Sequence, residues 1–279
     1  MTVNTRVGVV GLGKMGNPMA RHLSKVSRSV QVYDLNKAAV ADLKSLGLLA
    51  ADSLRDLHNQ CDVIFIIVSF DQQVMDLCTG QDGLFAYNTH PLTLVICSTI
   101  EPETMTQLAA LAPDHITLVD APLCRGEIPA ETGELLALMG GDPAACDSVR
   151  PLLESFCSDI DYIGKLGSGQ VAKALNNFIL WSCISVNAEA FKLGGQYGLD
   201  QETLRQALLK SSGENWAMKT WNLPRTMPWA EKDMMIILKM ADQKNLPVPM
   251  AGFIKEQIKM VKKEWGLYDP EGGKTRDPG

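Results

Sequence analysis

The chain has 279 residues, enough for two domains with separate cores. Its hydrophobic share of 46% and charged share of 21% are those of an ordinary globular protein. A net charge of −6 provides no basic field for nucleic acid or an anionic membrane, and the longest apolar run, near 63–68, is too short to span a bilayer.

The first element is an apolar run over 6–10, read as a strand. It ends in Gly11, Leu12, Gly13, Lys14, Met15 and Gly16, and a helix is expected over 17–26. This is a G-x-G-x-x-G pattern between a strand and a helix, the context in which it binds a dinucleotide. Gly11 permits the tight turn, Gly13 lets a pyrophosphate approach the backbone, and Gly16 lets the helix pack on the strand. The helix N-terminus then presents N–H groups to the phosphates. A second strand over 29–33 ends at Asp34, close to the spacing of the acid that binds the adenosine ribose. A carboxylate there repels a 2′-phosphate, so NAD is expected and NADP is less favoured. The competing reading of Asp34 is a turn residue before the next helix.

Further strands are expected over 62–68, 93–97, 116–119, 135–139 and 161–163, with helices over 38–46, 72–77, 103–111 and 144–156. The strands are continuous apolar runs, the pattern of a parallel sheet covered on both faces. The fold class is therefore α/β, a Rossmann-type doubly wound sheet over 1–164. From 165 the pattern turns helical, giving an all-α domain over 165–279 entered by one long helix over 171–197. Shorter helices are expected over 201–210, 232–243 and 251–264, with prolines at 224, 228, 247 and 249 marking the joints. The tail over 269–279 is rich in Gly and Pro and reads as disordered.

Seven scattered cysteines with no C-x-x-C pair suggest neither zinc nor disulfides, and a reducing cytoplasm fits them. No leader segment is apparent before the first strand. His22, His58, His90 and His115 all lie in the first half and read as surface or loop residues. Histidine acid/base chemistry and a metal site are not expected.

The opening of the long helix holds a different candidate. Lys173 and Asn177 are four residues apart, on one helix face among Val171, Ala172, Ala174 and Leu175. A lysine drawn partly out of water can trade a proton in catalysis. On composition alone, an exposed lysine with an asparagine turned to water is the favoured reading.

Five ordered motifs carry a resemblance to the β-hydroxyacid dehydrogenase family over about 7–249. The stretch 11–20 resembles its cofactor signature, and Ser98-Thr99-Ile100 resembles its turn beside the nicotinamide. Asp120-Ala121-Pro122 is similar to the start of its substrate motif. Gly167, Gly169, Lys173, Asn176 and Asn177 match G-x-G-x-x-x-K-x-x-N-N at every fixed position. Lys232-Asp233 resembles a later motif. The family includes 3-hydroxyisobutyrate dehydrogenases, tartronate semialdehyde reductases and sulfolactaldehyde reductases.

The resemblance implies an NAD(P)-linked, cytoplasmic enzyme that interconverts a short hydroxy acid and its aldehyde or keto form, working as a homodimer or homotetramer. It implies Lys173 as catalytic acid/base, with Asn176 and Asn177 beside the substrate. Val68, Ser69, Thr99 and Lys232 join the glycine loop and Asp34 at the cofactor. Where the family has Val-Ser-Gly-Gly, this chain has Leu123-Cys124-Arg125-Gly126. Cys124, Arg125 and Gly126 are then substrate-side residues, with the Arg125 fork gripping a carboxylate or sulfonate. Cys124 itself reads as packing. The segment between Trp216 and Lys232 is shorter than in most relatives, and Trp216, Trp221 and Trp229 are either a pocket wall or core. An imine reductase shares the architecture, but Lys173 and Asp34 weigh against it. A non-catalytic binding module is the reading from another class, and Lys173 disfavours that too.

Overall fold

The computed structural model describes residues 3–87 and 90–267. The chain divides into two compact units, one running to Lys173 and one starting at Ala174. The first unit opens with β1 (Val3–Val10), α1 (Gly16–Leu23), β2 (Ser27–Tyr33), α2 (Lys37–Ser45) and β3 (Leu49–Ala50). Next come α3 (Leu54–Gln60), β4 (Val63–Ile66) and α4 (Asp71–Thr79). A 3-10 turn at Leu84–Ala86 leads into β5 (Leu92–Ile96), α5 (Pro102–Leu111) and β6 (Ile116–Asp120). The unit continues with β7 (Leu123–Cys124), α6 (Glu127–Thr132), β8 (Leu135–Gly141), α7 (Pro143–Leu153) and β9 (Cys157–Gly164).

The sheet order is β3-β2-β1-β4-β5-β6-β8-β7, with β9 paired to β8. The first six strands are parallel and follow the dinucleotide-binding order, whose switch point lies between β1 and β4. Alternate residues explain why these strands read as unbroken apolar runs. Val7, Val9, Val63 and Phe65 enter one core layer, while Val10, Ile64 and Ile66 enter the other. Each such side chain, fully buried, is worth roughly 1.5–3 kcal/mol.

The parallel expectation fails past β6. β8 runs antiparallel to β6 and to β7, and only β9 returns to run parallel to β8. The link from β7 through α6 to β8 is shorter than the dozen or so residues a parallel crossover needs. The strands β3 and β7 are two residues long, below the reach of any periodicity. The helices α3 and α6 are also unexpected.

The reading of all four histidines as surface or loop residues is corrected at His58. It lies on α3, is fully buried, and meets Tyr87, His90 and His115 edge-on at ring-centroid distances of 5.7, 5.2 and 5.9 Å. A polar residue on a seven-residue helix carries no periodic sign of that burial.

The helix α8 (Ser168–Gln196) begins in the first unit and continues through the second. The second unit adds α9 (Gln201–Leu208), α10 (Trp216–Lys219), α11 (Ala230–Gln243) and α12 (Pro249–Glu264), and no strand occurs there among the described residues. Asp200 and Asn215 cap the starts of α9 and α10, and Pro249 stands in the first turn of α12. Ile184, Met234, Ile237, Ile254 and Ile258 form the centre of its core. The Lys262 ammonium, 1% exposed, is held at 2.9 Å by both oxygens of Glu231, joining α12 to α11. Leu175, Ile179, Val186 and Leu193 form an exposed stripe along one side of α8. The tail over 269–279 lies outside the described residues. Among those residues no helix is long and apolar enough to cross a membrane.

Candidate active site

Strand register assembles the first part of the site. Tyr33, Val10, Ile66, Ile96 and Asp120 pair across β2, β1, β4, β5 and β6, so these strands end together at their C-terminal edge. The residues just beyond that row are the sequence candidates Asp34, Gly11, Val68, Ser98 and Ala121. Open α/β sheets bind ligands at this edge.

The glycine loop has the shape a pyrophosphate requires. Gly11 has φ +92°, and a Cβ there would lie 2.1 Å from the Ile67 carbonyl oxygen. A Cβ on Gly16 would lie 1.8 Å from the Gly11 oxygen. Gly13 meets nothing within 4 Å, which leaves the loop open at its middle glycine. No side chain caps α1; Asn17 N donates to the Gly13 carbonyl at 3.0 Å and Pro18 carries no N–H. Leu12 is buried in the core and contributes its backbone, donating to Asp34 Oδ2 at 2.6 Å. Asp34 Oδ1 accepts from Asn36 N at 2.7 Å, so the carboxylate joins the loop to the end of β2. Each oxygen keeps a further lone pair for a ribose hydroxyl. Met15 packs on the core, and the Lys14 ammonium is paired with Glu127 at 3.2 Å. At these positions only the backbone is then left for a phosphate. The residues present fit a dinucleotide.

The next strand ends are cross-tied. Val68 N donates to Ser98 Oγ at 2.7 Å, and Ser69 N donates to Gln73 Oε1 at 3.0 Å. Gln170, fully buried in the first turn of α8, donates from Nε2 to the Ser98 carbonyl at 2.8 Å. Its Oε1 accepts from Ile100 N at 3.1 Å, so one side-chain amide spans half-buried Thr99. Asp120 is fully buried and accepts from Gly167 N at 2.7 Å and Gln170 N at 2.9 Å. Burial pushes its carboxyl above the usual range, and these N–H groups oppose that rise. The resemblance puts Asp120 at the start of a substrate motif; in the structure its carboxylate caps α8.

Lys173 follows one turn later, half-buried, with Nζ 3.8 Å from Cys124 Sγ. It makes no ion pair among the described residues. Cys124 is 3% exposed and packs in the floor beside it. Arg125 has φ +90°, in the left-handed region, and Gly126 follows at φ +89°. The Arg125 guanidinium is not held free. It donates to the Glu134 carbonyl at 2.9 Å and Ser158 Oγ at 2.8 Å, and pairs with Asp159 at 2.7 Å. Bonding to Arg125 holds the Asp159 carboxyl below its usual range.

The remaining candidates belong to the second unit. Asn177, 5% exposed, donates from Nδ2 to Asp233 Oδ2 at 2.9 Å, and its Oδ1 accepts from Asn176 at 3.0 Å. Trp181 Nε1 donates to the same Asp233 oxygen at 2.9 Å. Both ends of the Asn177 amide are thus engaged, while exposed Asn176 presents the outer one of the pair. Asp233, seen in the sequence only as part of a motif, is the hub of this group. The Lys232 ammonium lies 5.9 Å from the centre of the Trp229 ring. Trp221, half-buried, is edge-on to Phe191 and Trp265 and lines a cavity with Lys192 and Arg225, and Trp216 lies under Arg225.

All seven cysteines are free thiols. Burial raises those of Cys61, Cys78 and Cys157 to about 12. Among the described residues no group of His, Cys, Asp and Glu is arranged to hold a metal ion.

The model of the NAD-binding domain of 6-phosphogluconate dehydrogenase matches residues 6–164. The model of the NAD-binding domain of NADP-dependent 3-hydroxyisobutyrate dehydrogenase matches 167–269. A 3-hydroxyisobutyrate dehydrogenase of Pseudomonas aeruginosa is 39% identical, over 81% of this chain and 76% of its own. An NAD-dependent L-serine dehydrogenase from the same organism is 38% identical, over 80% and 74%. In fold, the chain is similar to the 3-hydroxyisobutyrate dehydrogenase of Mycobacterium tuberculosis solved with L-serine. That match has a TM-score of 0.84 at 22% identity and covers 96% of this chain and 97% of the other. With its dinucleotide-binding sheet, its all-helical second unit and these relatives, the chain belongs to the β-hydroxyacid dehydrogenase family of NAD(P)-linked oxidoreductases.

Proposed function

We propose that this enzyme oxidises the hydroxyl of a short hydroxy acid bearing a carboxylate or sulfonate, or reduces the matching semialdehyde. NAD is the preferred cofactor and Lys173 the acid/base. The observation that carries the reading is Lys173, a half-buried ammonium without an ion-pair partner among the described residues, one turn beyond the helix cap at Asp120. A lysine held by a carboxylate would be a poor proton carrier; this one has the Cys124 sulfur at 3.8 Å instead. The two Pseudomonas aeruginosa relatives are named for 3-hydroxyisobutyrate and L-serine, both of which carry a hydroxymethyl group and a carboxylate.

The chain's own groups then have these tasks. The backbone of Leu12 through Gly16 binds the cofactor's pyrophosphate, and Asp34 binds the adenosine ribose and repels a 2′-phosphate. When bound, the nicotinamide supplies the hydride acceptor or donor. As the neutral amine, Lys173 takes the hydroxyl proton in oxidation; as the ammonium it returns that proton in reduction, where its charge also stabilises the developing alkoxide. Asn176 and Asn177 orient the substrate oxygen, with Asp233 fixing the pair. Thr99, Val68, Ser69 and Lys232 complete the cofactor's surroundings.

Arg125 receives the substrate anion. Its bond to Asp159 is part-exposed, with 32% and 54% of the two side chains accessible, and such pairs are worth about 0–1 kcal/mol. A carboxylate or sulfonate can take Asp159's place on the fork. Two copies pack through the exposed α8 stripe, and the enzyme works in the cytoplasm.

The test is a panel of L-serine, 3-hydroxyisobutyrate, glycerate and 3-sulfolactate, each with NAD and with NADP. Turnover restricted to acids with a β-hydroxymethyl or equivalent carbinol, faster with NAD, is expected. Cofactor binding with no turnover on any of them would support a binding module instead.

A further inference from the structure

We infer that Gln170 is a positioning residue, which sets the place of Lys173 relative to the Ser98–Ile100 turn on the nicotinamide side of the site. The inference rests on the proposed acid/base role of Lys173.

Both ends of the Gln170 amide are used, and both on the same short stretch of backbone. Nε2 donates to the Ser98 carbonyl at 2.8 Å, and Oε1 accepts from Ile100 N at 3.1 Å. A side-chain amide paired in this way imitates the edge of a neighbouring strand. It leaves neither buried backbone group unpaired, and the side chain that does so is fully buried. Replacement by any other residue type breaks at least one of the two bonds.

The backbone of Gln170 is fixed as firmly as its side chain. Its N–H donates to Asp120 Oδ2, while Gly167 N donates to Oδ1. The Asp120 carboxylate lies close against Gly140 and Gly169, where a Cβ would stand 2.5 or 2.7 Å from its oxygens, and the two N–H bonds hold it there. Ser98 is anchored in turn by Val68 N at 2.7 Å. The ends of β4, β5 and β6 are therefore joined to the first turn of α8 through one residue. Lys173 lies three residues on, about 4.5 Å along the helix axis, with no irregularity between. Any tilt or slip of that turn moves the amine. Displacements of about 1 Å in such groups cost on the order of 100-fold in rate.

The experiment compares Gln170→Met, Lys173→Ala and the double variant, with 3-hydroxyisobutyrate and NAD as probes. Gln170→Met keeps length and loses both bonds. Gln170→Glu keeps the acceptor and loses the donor, and serves if the Met variant does not fold. Folding is checked by near-ultraviolet circular dichroism, and NAD affinity by fluorescence titration. The expected result is a kcat about tenfold to 100-fold lower for either Gln170 variant, with KM and NAD affinity within about threefold of wild type. The double variant should be no slower than Lys173→Ala, because Gln170 acts through the lysine. A purely structural Gln170 would lower melting temperature and leave kcat in place, which overturns the inference. Multiplicative losses in the double variant overturn it as well. Lys173→Ala with wild-type turnover overturns both the acid/base reading and this one; a slow Lys173→Ala beside a normal Gln170→Met overturns this one alone.

Discussion

The carboxylate of Asp34 accepts the backbone N–H of Leu12 at 2.6 Å, so the residue proposed to read the ribose is also tied to the glycine loop proposed to hold the pyrophosphate. Asp34→Asn keeps an acceptor and removes the charge, whereas Asp34→Ala removes both. The Asn variant should lose discrimination against NADP with NAD affinity falling only modestly. The Ala variant should bind both cofactors poorly, roughly 10-fold worse or more, since a hydrogen bond to a charged acceptor is worth about 1.5–3 kcal/mol. Titration of each variant with NAD and NADP checks this. An unchanged preference in both would mean that Asp34 does not face the ribose.

Lys173→Ala should lower kcat by about 10²–10⁴, the usual contribution of a positioned acid/base group. NAD affinity should hardly change, because the glycine loop and Asp34 are untouched. Steady-state turnover with 3-hydroxyisobutyrate or L-serine is the measurement, and near-normal rates would refute the assignment.

Arg125 and Asp159 make a paired test. If the guanidinium receives the substrate anion, Asp159→Asn frees it and KM should fall by a few-fold, while Arg125→Ala should raise KM about tenfold or more with kcat less affected. If the pair only shapes the turn, both variants should raise KM together.

The acid limb of stability should carry the mark of His58. Burial, with His90 and His115 adding to it, holds the folded-state imidazole below its ordinary 6.5. The unfolded chain then binds the proton first. Stability is complete above about pH 6.5 and falls as the pH drops from there toward the lower folded-state value. Asp62, held low by Arg6, acts only in a more acidic range, below its ordinary 3.8. Thermal melts between pH 7.5 and 5 should show the loss, and His58→Gln should flatten it. A melting temperature that is level across this range in wild type would contradict the burial argument.

Asp233 has two neutral donors on one oxygen, Asn177 and Trp181, both in the second unit. Asp233→Leu should destabilise the chain by roughly 2–6 kcal/mol, since buried Asn177 and half-buried Trp181 lose their acceptor at about 1–3 kcal/mol each. Urea denaturation measures this directly, and a change below 1 kcal/mol would mean that the two donors find other partners.

Much of the fold was legible because its signs are local. The apolar runs of β1, β4 and β5 are continuous since both faces are covered, and the glycine loop sits between a strand and a helix by spacing alone. The reversal at β8 was hidden because it depends on the shortness of the α6 link, a feature without periodicity. His58 shows the same limit, since nothing along α3 announces three aromatic neighbours from 29 to 57 residues away. In the site, the positions of Asp34 and Lys173 follow from motif spacing. The direction of the Arg125 side chain does not. It turns on a left-handed backbone at that residue and on acceptors at 134, 158 and 159, contacts that exist only once β8 and β9 have paired. Gln170 left no trace either, because a buried glutamine and an exposed one look alike in a polar helix start.

The slot around Asp120 has a practical side for anyone reshaping this enzyme. Residues 120, 140 and 169 are far apart in sequence yet share one small volume, in which neither glycine can gain a methyl group without meeting the carboxylate. Randomising these positions one at a time will therefore return mostly inactive clones, and a lengthened acid at 120 has nowhere to extend. Leu123 and Cys124 are themselves buried, so variation aimed at new substrates is better begun at exposed Asn176, one of the residues proposed on the substrate side.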